Sequence, residues 1–269
     1  MTLAPIALSC GEPAGIGLEL VQKAWSLLKD EMAFFLIGDP SHLAGDVPTI
    51  VISEASQAPA AMAQGLPVLA QTFLGDAVPG QPDPKNAEGV MRAIAVGTQL
   101  AMSGAASALC TAPIHKKALK DGCNFAFPGH TEYLAHLADV QRVVMMLASA
   151  QLRVVPATIH IPLRDVPTAL TPAVLRETIA ITAAGLTTQF GIASPRIAVA
   201  GLNPHAGEGG AMGREDMEII APTLAEMRTQ GYDVVGPLPA DTMFHAQARA
   251  TYDAAVCMYH DQALIPIKT

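Results

Sequence analysis

The sequence predicts an α/β fold built on a mostly parallel sheet. Apolar strand-like runs alternate with helix-like segments along almost the whole chain, the order expected of βα units. Several of those runs carry no polar residue at alternate positions, as in strands covered on both faces. Three of them lead to a histidine: 152–158 to His160, 196–202 to Asn203-Pro204-His205, and 254–259 to His260. Ligands of open α/β sheets gather outside the carboxyl ends of the strands. Three imidazoles at such an edge are the usual raw material of a divalent-metal site with a position left open for substrate. The three are far apart in sequence and have no zinc-finger spacing, so a shared metal and three unrelated histidines both remain open at this point.

In chain order, 4–10 is predicted as a strand, 11–17 as a tight loop and 18–28 as a helix. Strands follow at 33–37, ended by Gly38-Asp39-Pro40, and at 49–52. Residues 57–84, rich in Pro, Gly, Gln and Ala, are predicted as an irregular excursion with one short strand at 67–70. A long helix covers 86–102, with Val90, Ile94, Val96 and Leu100 on one face. A strand at 106–110 and a helix opening at His130 come next. Runs 143–147 and 152–158, joined by a short connection, predict an antiparallel pair. Thr171 before Pro172 marks the start of a helix to 190. The remaining expectations are a strand at 196–202, a helix at 215–230, a strand at 233–235, a helix at 241–248 and a strand at 254–259. A boundary between lobes is expected near 122–128, giving lobes 1–125 and 126–269.

Composition excludes several classes of function. Hydrophobic residues make up 51% of the 269 and charged ones 15%, which supports a large core and argues against extended disorder. The net charge of −8 and the absence of any Lys/Arg run argue against nucleic acid and acidic membranes as partners. No apolar stretch reaches membrane-spanning length. Cys10, Cys110, Cys123 and Cys257 show no CxxC spacing and are predicted to be reduced, and the chain start lacks a basic signal region, so a cytoplasmic location is expected.

The loop Gly11-Glu12-Pro13-Ala14-Gly15-Ile16-Gly17 fits neither GxGxxG nor the P-loop, and neither does 207–213. A tight strand-to-helix turn and a phosphate cradle are both open for 11–17; a Rossmann crevice is not expected. His42 is expected to be solvent-exposed, and His136 and His245 to be packing histidines on helices. His115 is open between a site residue and a helix-start residue. Asp241 reads as a helix N-cap or as a carboxylate beside the site. Asp261, directly after His260, could orient the imidazole, ligate a metal or meet a substrate amine. Lys268 is either a solvated side chain or an acid/base or phosphate contact.

Seven segments then point to one family. GEPAGIGLEL at 11–20, TAPIHKKAL at 111–119, FPGHTEYLA at 127–135 and HIPLRDV at 160–166 are followed by LNPHAGEGGAMGREDMEIIAP at 202–222, GPLPADTMF at 236–244 and MYHDQALIPIK at 258–268. Together they resemble the 4-hydroxythreonine-4-phosphate dehydrogenases of pyridoxal-phosphate biosynthesis, in order and over almost the whole chain. The resemblance implies the two-lobed α/β/α architecture of isocitrate and isopropylmalate dehydrogenases, binding NAD or NADP without a Rossmann motif, and a homodimer with its active site at the interface. The excursion 57–84 and the pair at 143–158 are candidate dimer contacts. His160, His205 and His260 would ligate one divalent metal (Zn, Mg, Co or Mn); His130, Thr131 and Lys268 would contact substrate; Lys268, Asp241 and Asp261 are candidates for catalytic roles. The implied reaction oxidises the secondary alcohol of 4-phosphooxy-L-threonine, and the resulting β-keto acid loses CO2 to give 3-amino-2-oxopropyl phosphate. Family members continue for some tens of residues past the MYHDQ segment with an Asn and an Arg that touch substrate. Because this sequence stops at Thr269, a preserved metal site, a frayed Lys268 and weak substrate binding are expected.

Three other readings compete. A paralogue acting on a 4-phosphorylated threonate or erythronate would share metal and cofactor. A metal-dependent hydrolase or aldolase would leave nicotinamide absorbance unchanged. A phosphate-ligand binding protein would need no metal.

Overall fold

The computed structural model describes residues 3–269, which form two compact units divided at Arg142/Val143. That division is later than the 125/126 boundary read from the sequence. The reason is local: Tyr133, on the helix His130–Leu137, is buried in the first unit's core, with its ring 5.8 Å from that of Phe125.

In the first unit the strands are β1 (Ile6–Ser9), β2 (Phe34–Gly38), β3 (Thr49–Ile52), β4 (Leu66–Ala70) and β5 (Ala108–Thr111). They make one parallel sheet of order β3-β4-β2-β1-β5. Its helices are α1 (Gly17–Leu28), α2 (Ala58–Ala61), α3 (Ala87–Met102), α4 (Lys116–Cys123) and α5 (His130–Leu137). Every residue of β2 is buried, which is why Phe-Phe-Leu-Ile reads as an unbroken apolar run. Helix α4 bears out the helix-start alternative for His115. It buries Ala118 and Leu119; His115 caps it, accepting from the Ala118 N–H at 3.1 Å, and Asn124 closes it in a left-handed conformation.

The second unit holds a separate sheet of order β6-β7-β10-β8-β9, from β6 (Leu147–Ala148), β7 (Arg153–Pro156), β8 (Arg196–Ala200), β9 (Asp233–Leu238) and β10 (Ala254–Cys257). Only β6 runs antiparallel, against β7. The helices are α6 (Val166–Ala169), α7 (Pro172–Thr188), α8 (Ala221–Thr229), α9 (Ala246–Arg249) and α10 (His260–Lys268). Alternate strand residues divide between two cores. Val155, Ile197, Val199, Ala254 and Val256 join Leu175 and Ile179 of α7 and Leu224 of α8. Val154, Ala198, Ala200, Ala255 and Cys257 join Ala263 and Leu264 of α10. The sheet is thus covered on both faces, and each fully buried aliphatic side chain adds about 1.5–3 kcal/mol.

Two helix expectations are corrected here. Residues 241–248 are mostly turn, and only α9 is helical, capped by His245, whose ring accepts from the Ala248 N–H at 3.3 Å. His245 is therefore an exposed cap rather than a packing residue, and Asp241 caps no helix. Conversely, α10 was not expected. It runs through Lys268, with the Thr269 N–H donating to the Ile265 carbonyl at 3.2 Å, so the backbone at Lys268 is helical rather than frayed.

Candidate active site

The three strand-end histidines follow three adjacent strands. Parallel β7, β10 and β8 lie side by side and deliver His160, His260 and His205 to one edge of the second sheet. Two of the segments are tied together there. The Thr158 N–H and hydroxyl both donate to the Met258 carbonyl, at 3.3 and 2.7 Å. His160 and His260 each stand two residues beyond this tie, and their ring centroids are 5.7 Å apart. The Ile161 N–H donates to the Ile159 carbonyl at 2.8 Å, so His160 occupies the centre of a three-residue turn. Both rings line a cleft of about 280 Å³ with Ile159, Leu163, Tyr259 and Asp261.

His205 lines a neighbouring cleft of about 390 Å³ with Asn203, Ala240, Asp241, Tyr259 and Gln262. Tyr259 is common to the two clefts. The structure thus pairs His160 with His260 but does not draw His205 into a group with them. Among the described residues no three His, Cys, Asp or Glu side chains are close enough together to close a metal site. His205 opens a left-handed turn. His205, Ala206, Gly207, Glu208 and Gly209 all have positive φ, between 42° and 81°. For the three that are not glycine, this left-handed turn costs about 1–2 kcal/mol each.

The donor chemistry suits a metal at the His160/His260 pair. Two imidazoles on one ion at tetrahedral angles place their ring centroids roughly 5 Å apart, given metal–nitrogen distances of about 2.0–2.1 Å. Nδ1 of His260 lies 2.7 Å from Oδ1 of Asp261. This contact leaves Nε2 as the free donor and fixes the ring, the usual arrangement of a carboxylate behind a metal-binding histidine. His205 repeats it more loosely, with Nδ1 3.4 Å from Oε2 of Glu208.

Sequence reasoning missed Gln262. It is buried, accepts from the Met258 N–H at 2.7 Å and donates to the Gly201 carbonyl at 2.7 Å. One side chain thus bridges the ends of β10 and β8. Its residue type alone carries no such signal. Gln262→Met keeps the volume but strands both backbone groups, and should cost about 2–3 kcal/mol in denaturant unfolding of the second unit. An unchanged midpoint would show that the bridge contributes nothing.

Asp241 is exposed at the mouth of the His205 cleft. Lys268 is exposed in the last turn of α10. His130 and Thr131 open α5 in the first unit. There Nε2 of His130 is buried without a partner, and desolvation, with a smaller contribution from the positive charge of Lys116, pushes its pKa below the usual imidazole value. The folded state therefore binds this proton less tightly than the unfolded chain. Stability is full above the ordinary histidine pKa and falls as the pH drops through it toward the folded value. His130→Asn should flatten this part of the pH–stability curve between about pH 7.5 and 5; an equally steep curve would place the effect elsewhere.

The other histidines have structural roles. His42 is not solvated as expected: Nε2 lies 2.9 Å from the Gly75 carbonyl, and the ring meets Phe73 edge-on at 5.2 Å. His136 lies against Phe127, with ring centroids 5.1 Å apart.

Comparison with known proteins decides the family. Residues 29–269 match the family model "Pyridoxal phosphate biosynthetic protein PdxA". The chain belongs to this family. It is 59% identical to the 4-hydroxythreonine-4-phosphate dehydrogenase of Ruegeria sp. (strain TM1040), a match covering 100% of this chain and 83% of that protein. Crystal structures of 4-hydroxythreonine-4-phosphate dehydrogenases from Klebsiella pneumoniae and Burkholderia phymatum superpose with TM-scores of 0.91 and 0.89 at 35% and 37% identity. These matches cover 98% and 100% of this chain and 84% of each of those chains. Membership in the PdxA family agrees with the mostly parallel α/β sheets and with the resemblance read from the motifs.

Proposed function

We propose that this chain oxidises 4-phosphooxy-L-threonine with NAD(P)+ in pyridoxine 5'-phosphate biosynthesis; its relatives are named 4-hydroxythreonine-4-phosphate dehydrogenases and its family a pyridoxal phosphate biosynthetic one. The observation that carries the reading is the delivery of His160, His260 and His205 by three adjacent parallel strands to one sheet edge, in a chain of this family. In this reading His160 and His260 would hold one divalent cation through their free ring nitrogens, His205, which lines the neighbouring cleft, would have to turn toward them to serve as the third ligand, and Asp261 would keep the His260 ring in the right tautomer. A bound divalent ion supplies Lewis acidity, which lowers the pKa of the substrate hydroxyl and polarises the new carbonyl.

The chain's own groups do the rest. Neutral imidazoles hold positive charge at the edge without cancelling it. His130 and Thr131, at the start of α5, and Lys268 are the proposed substrate contacts; the N–H groups of a helix start and an ammonium both favour a phosphate. Asp241 and Asp261 are the carboxylates proposed to meet the reacting part of the substrate. Oxidation of the alcohol would release a hydride, for which an oxidised nicotinamide would be the acceptor, and a proton to solvent. The β-keto acid then releases CO2, and its bonding pair reprotonates to leave 3-amino-2-oxopropyl phosphate. The two units are read as the lobes of an isocitrate/isopropylmalate dehydrogenase-like architecture, assembled as a homodimer in the cytoplasm. No helix among the described residues is long and apolar enough to cross a membrane.

The test is NAD(P)+ reduction with 4-phosphooxy-L-threonine and phospho-D-threonate side by side, with and without chelator. Chelator-sensitive absorbance growth with the amino acid substrate is expected. Preference for the threonate would reassign the substrate. No absorbance change with either would overturn the dehydrogenase reading.

A further inference from the structure

We infer that the buried carboxylate of Asp216 is a positioning residue for His205. The inference deepens the metal reading above and rests on it for the role of His205. Strand β8 ends at Ala200, and the Gly201 N–H still finds the Leu238 carbonyl at 2.8 Å. The next two N–H groups have no strand to pair with, and Asp216 takes both. Oδ1 accepts from the Leu202 N–H at 2.8 Å, and Oδ2 accepts from the Asn203 N–H at 3.1 Å. Oδ2 also accepts from the Asn203 side-chain amide at 3.0 Å, which donates to Oε2 of Glu215 at 2.7 Å as well. Asp216 is 1% exposed, so these N–H groups, rather than water, balance its charge.

Three glycines let the backbone close in on the carboxylate and on Asn203. A Cβ on Gly201 would stand 2.7 Å from Oδ1, and one on Gly207 would stand 3.2 Å from Oδ2. A Cβ on Gly213 would meet the Asn203 side chain at 2.5 Å. Asp216 itself opens a π-helical turn, Asp216–Ile220, a local irregularity often found at functional sites. The clamp therefore grips the two residues from which the chain enters the left-handed turn of His205–Gly209. His205 follows Asn203 by two positions, and the Ala206 N–H closes back on the Asn203 carbonyl at 3.0 Å. An unfavourable turn persists only where its surroundings over-determine it. Asp216 is the group on this side that does so, and it touches no reacting atom.

The test uses the full chain and two readouts. The first is backbone amide exchange of the metal-free protein. Asp216→Asn should raise exchange across 202–210 by about tenfold or more, while β7, β8 and β10 keep their protection. The second is titration with Co2+ alone, followed by visible absorption. Asp216→Asn should weaken binding about tenfold, the scale of lost support behind a ligand, and should add nothing in a His205→Ala background. Unchanged exchange at 202–210, or a rise spread evenly over the second unit, overturns the inference. If His205→Ala leaves Co2+ binding untouched, the metal reading of His205 fails, and exchange at 202–210 still decides what Asp216 does. Should Asp216→Asn not fold, Asn203→Ala, which removes only the side-chain donor, must loosen 202–210 or the inference is wrong.

Discussion

Replacing His260 with alanine should lower kcat/KM for NAD(P)+-linked oxidation by roughly a thousandfold and remove tight divalent-metal binding. A bound metal supplies several kcal/mol of transition-state charge stabilisation, and about 4 kcal/mol corresponds to three decades of rate. His260 is the ring through which the site is best organised. It pairs with His160 at 5.7 Å between centroids and is oriented by Asp261 at 2.7 Å. The change should cost little stability, because the side chain is one third exposed and the Asp261 carboxylate it leaves behind is solvated, at 72% exposure. Loss of activity with an unchanged unfolding midpoint would therefore report chemistry rather than misfolding. Asp261→Asn should act more gently, on the order of 10–100-fold in metal affinity, since it alters ring orientation but leaves the donor. Metal content after dialysis and the rate of nicotinamide reduction measure both variants. Full activity in His260→Ala would remove this histidine from the site.

What could be read from the chain depended on how each element earns its stability. Strands β7, β8 and β10 were legible because both faces are buried, which forces the unbroken runs around Val154-Val155, Ile197–Ala200 and Ala254–Cys257. Helix α7 was legible from its cap, and Thr171 does accept from the Val174 N–H at 3.2 Å. Helix α4 was legible only as one alternative at His115, and helix α10 was not legible. α4 is short and mostly polar, and it is held by its caps together with burial of Ala118 and Leu119. α10 contains Pro266, which reads as a helix breaker, and it is held by burial of Ala263 and Leu264. The span 241–248 erred the other way: its apolar residues suggested a helix, but Met243 is packed into the second unit's core from a turn. At the site, the histidines were visible because imidazole at a strand end is a rare combination. The groups that position them, Gln262 and Asp216, were not. A buried amide or carboxylate is told from a solvated one only by the backbone groups it meets, and of these only the Met258 N–H lies within a helical turn of its partner, while Gly201, Leu202 and Asn203 are 13 to 61 residues away.

The same dependence on distant backbone decides the glycine loop between β1 and α1, where the sequence left a tight turn and a phosphate cradle open. Gly11→Ala should destabilise the first unit by about 3–5 kcal/mol and leave metal binding by the second unchanged. Gly11 has φ +67°, where an L side chain is strained, and its Cβ would stand 2.4 Å from the Pro113 carbonyl oxygen and 2.9 Å from the backbone of Ala112. Those atoms cannot withdraw cheaply, because the Pro113 carbonyl accepts from the Glu12 N–H at 2.9 Å and the Ala112 N–H donates to Ser9 at 3.2 Å. Strain of about 1–3 kcal/mol and overpacking of similar size therefore add. Gly17 is constrained alike, with a Cβ position 2.6 Å from the Cys10 carbonyl oxygen. Close approach of chain to chain thus accounts for these glycines without a ligand. Each unit has its own core, so a single global transition is not assumed. The sequence has one tryptophan, Trp25, buried on α1, so its fluorescence during urea unfolding follows the first unit alone. An early fluorescence transition with intact Co2+ binding supports the packing account. An unshifted transition together with weakened nicotinamide binding would instead make the loop a ligand cradle.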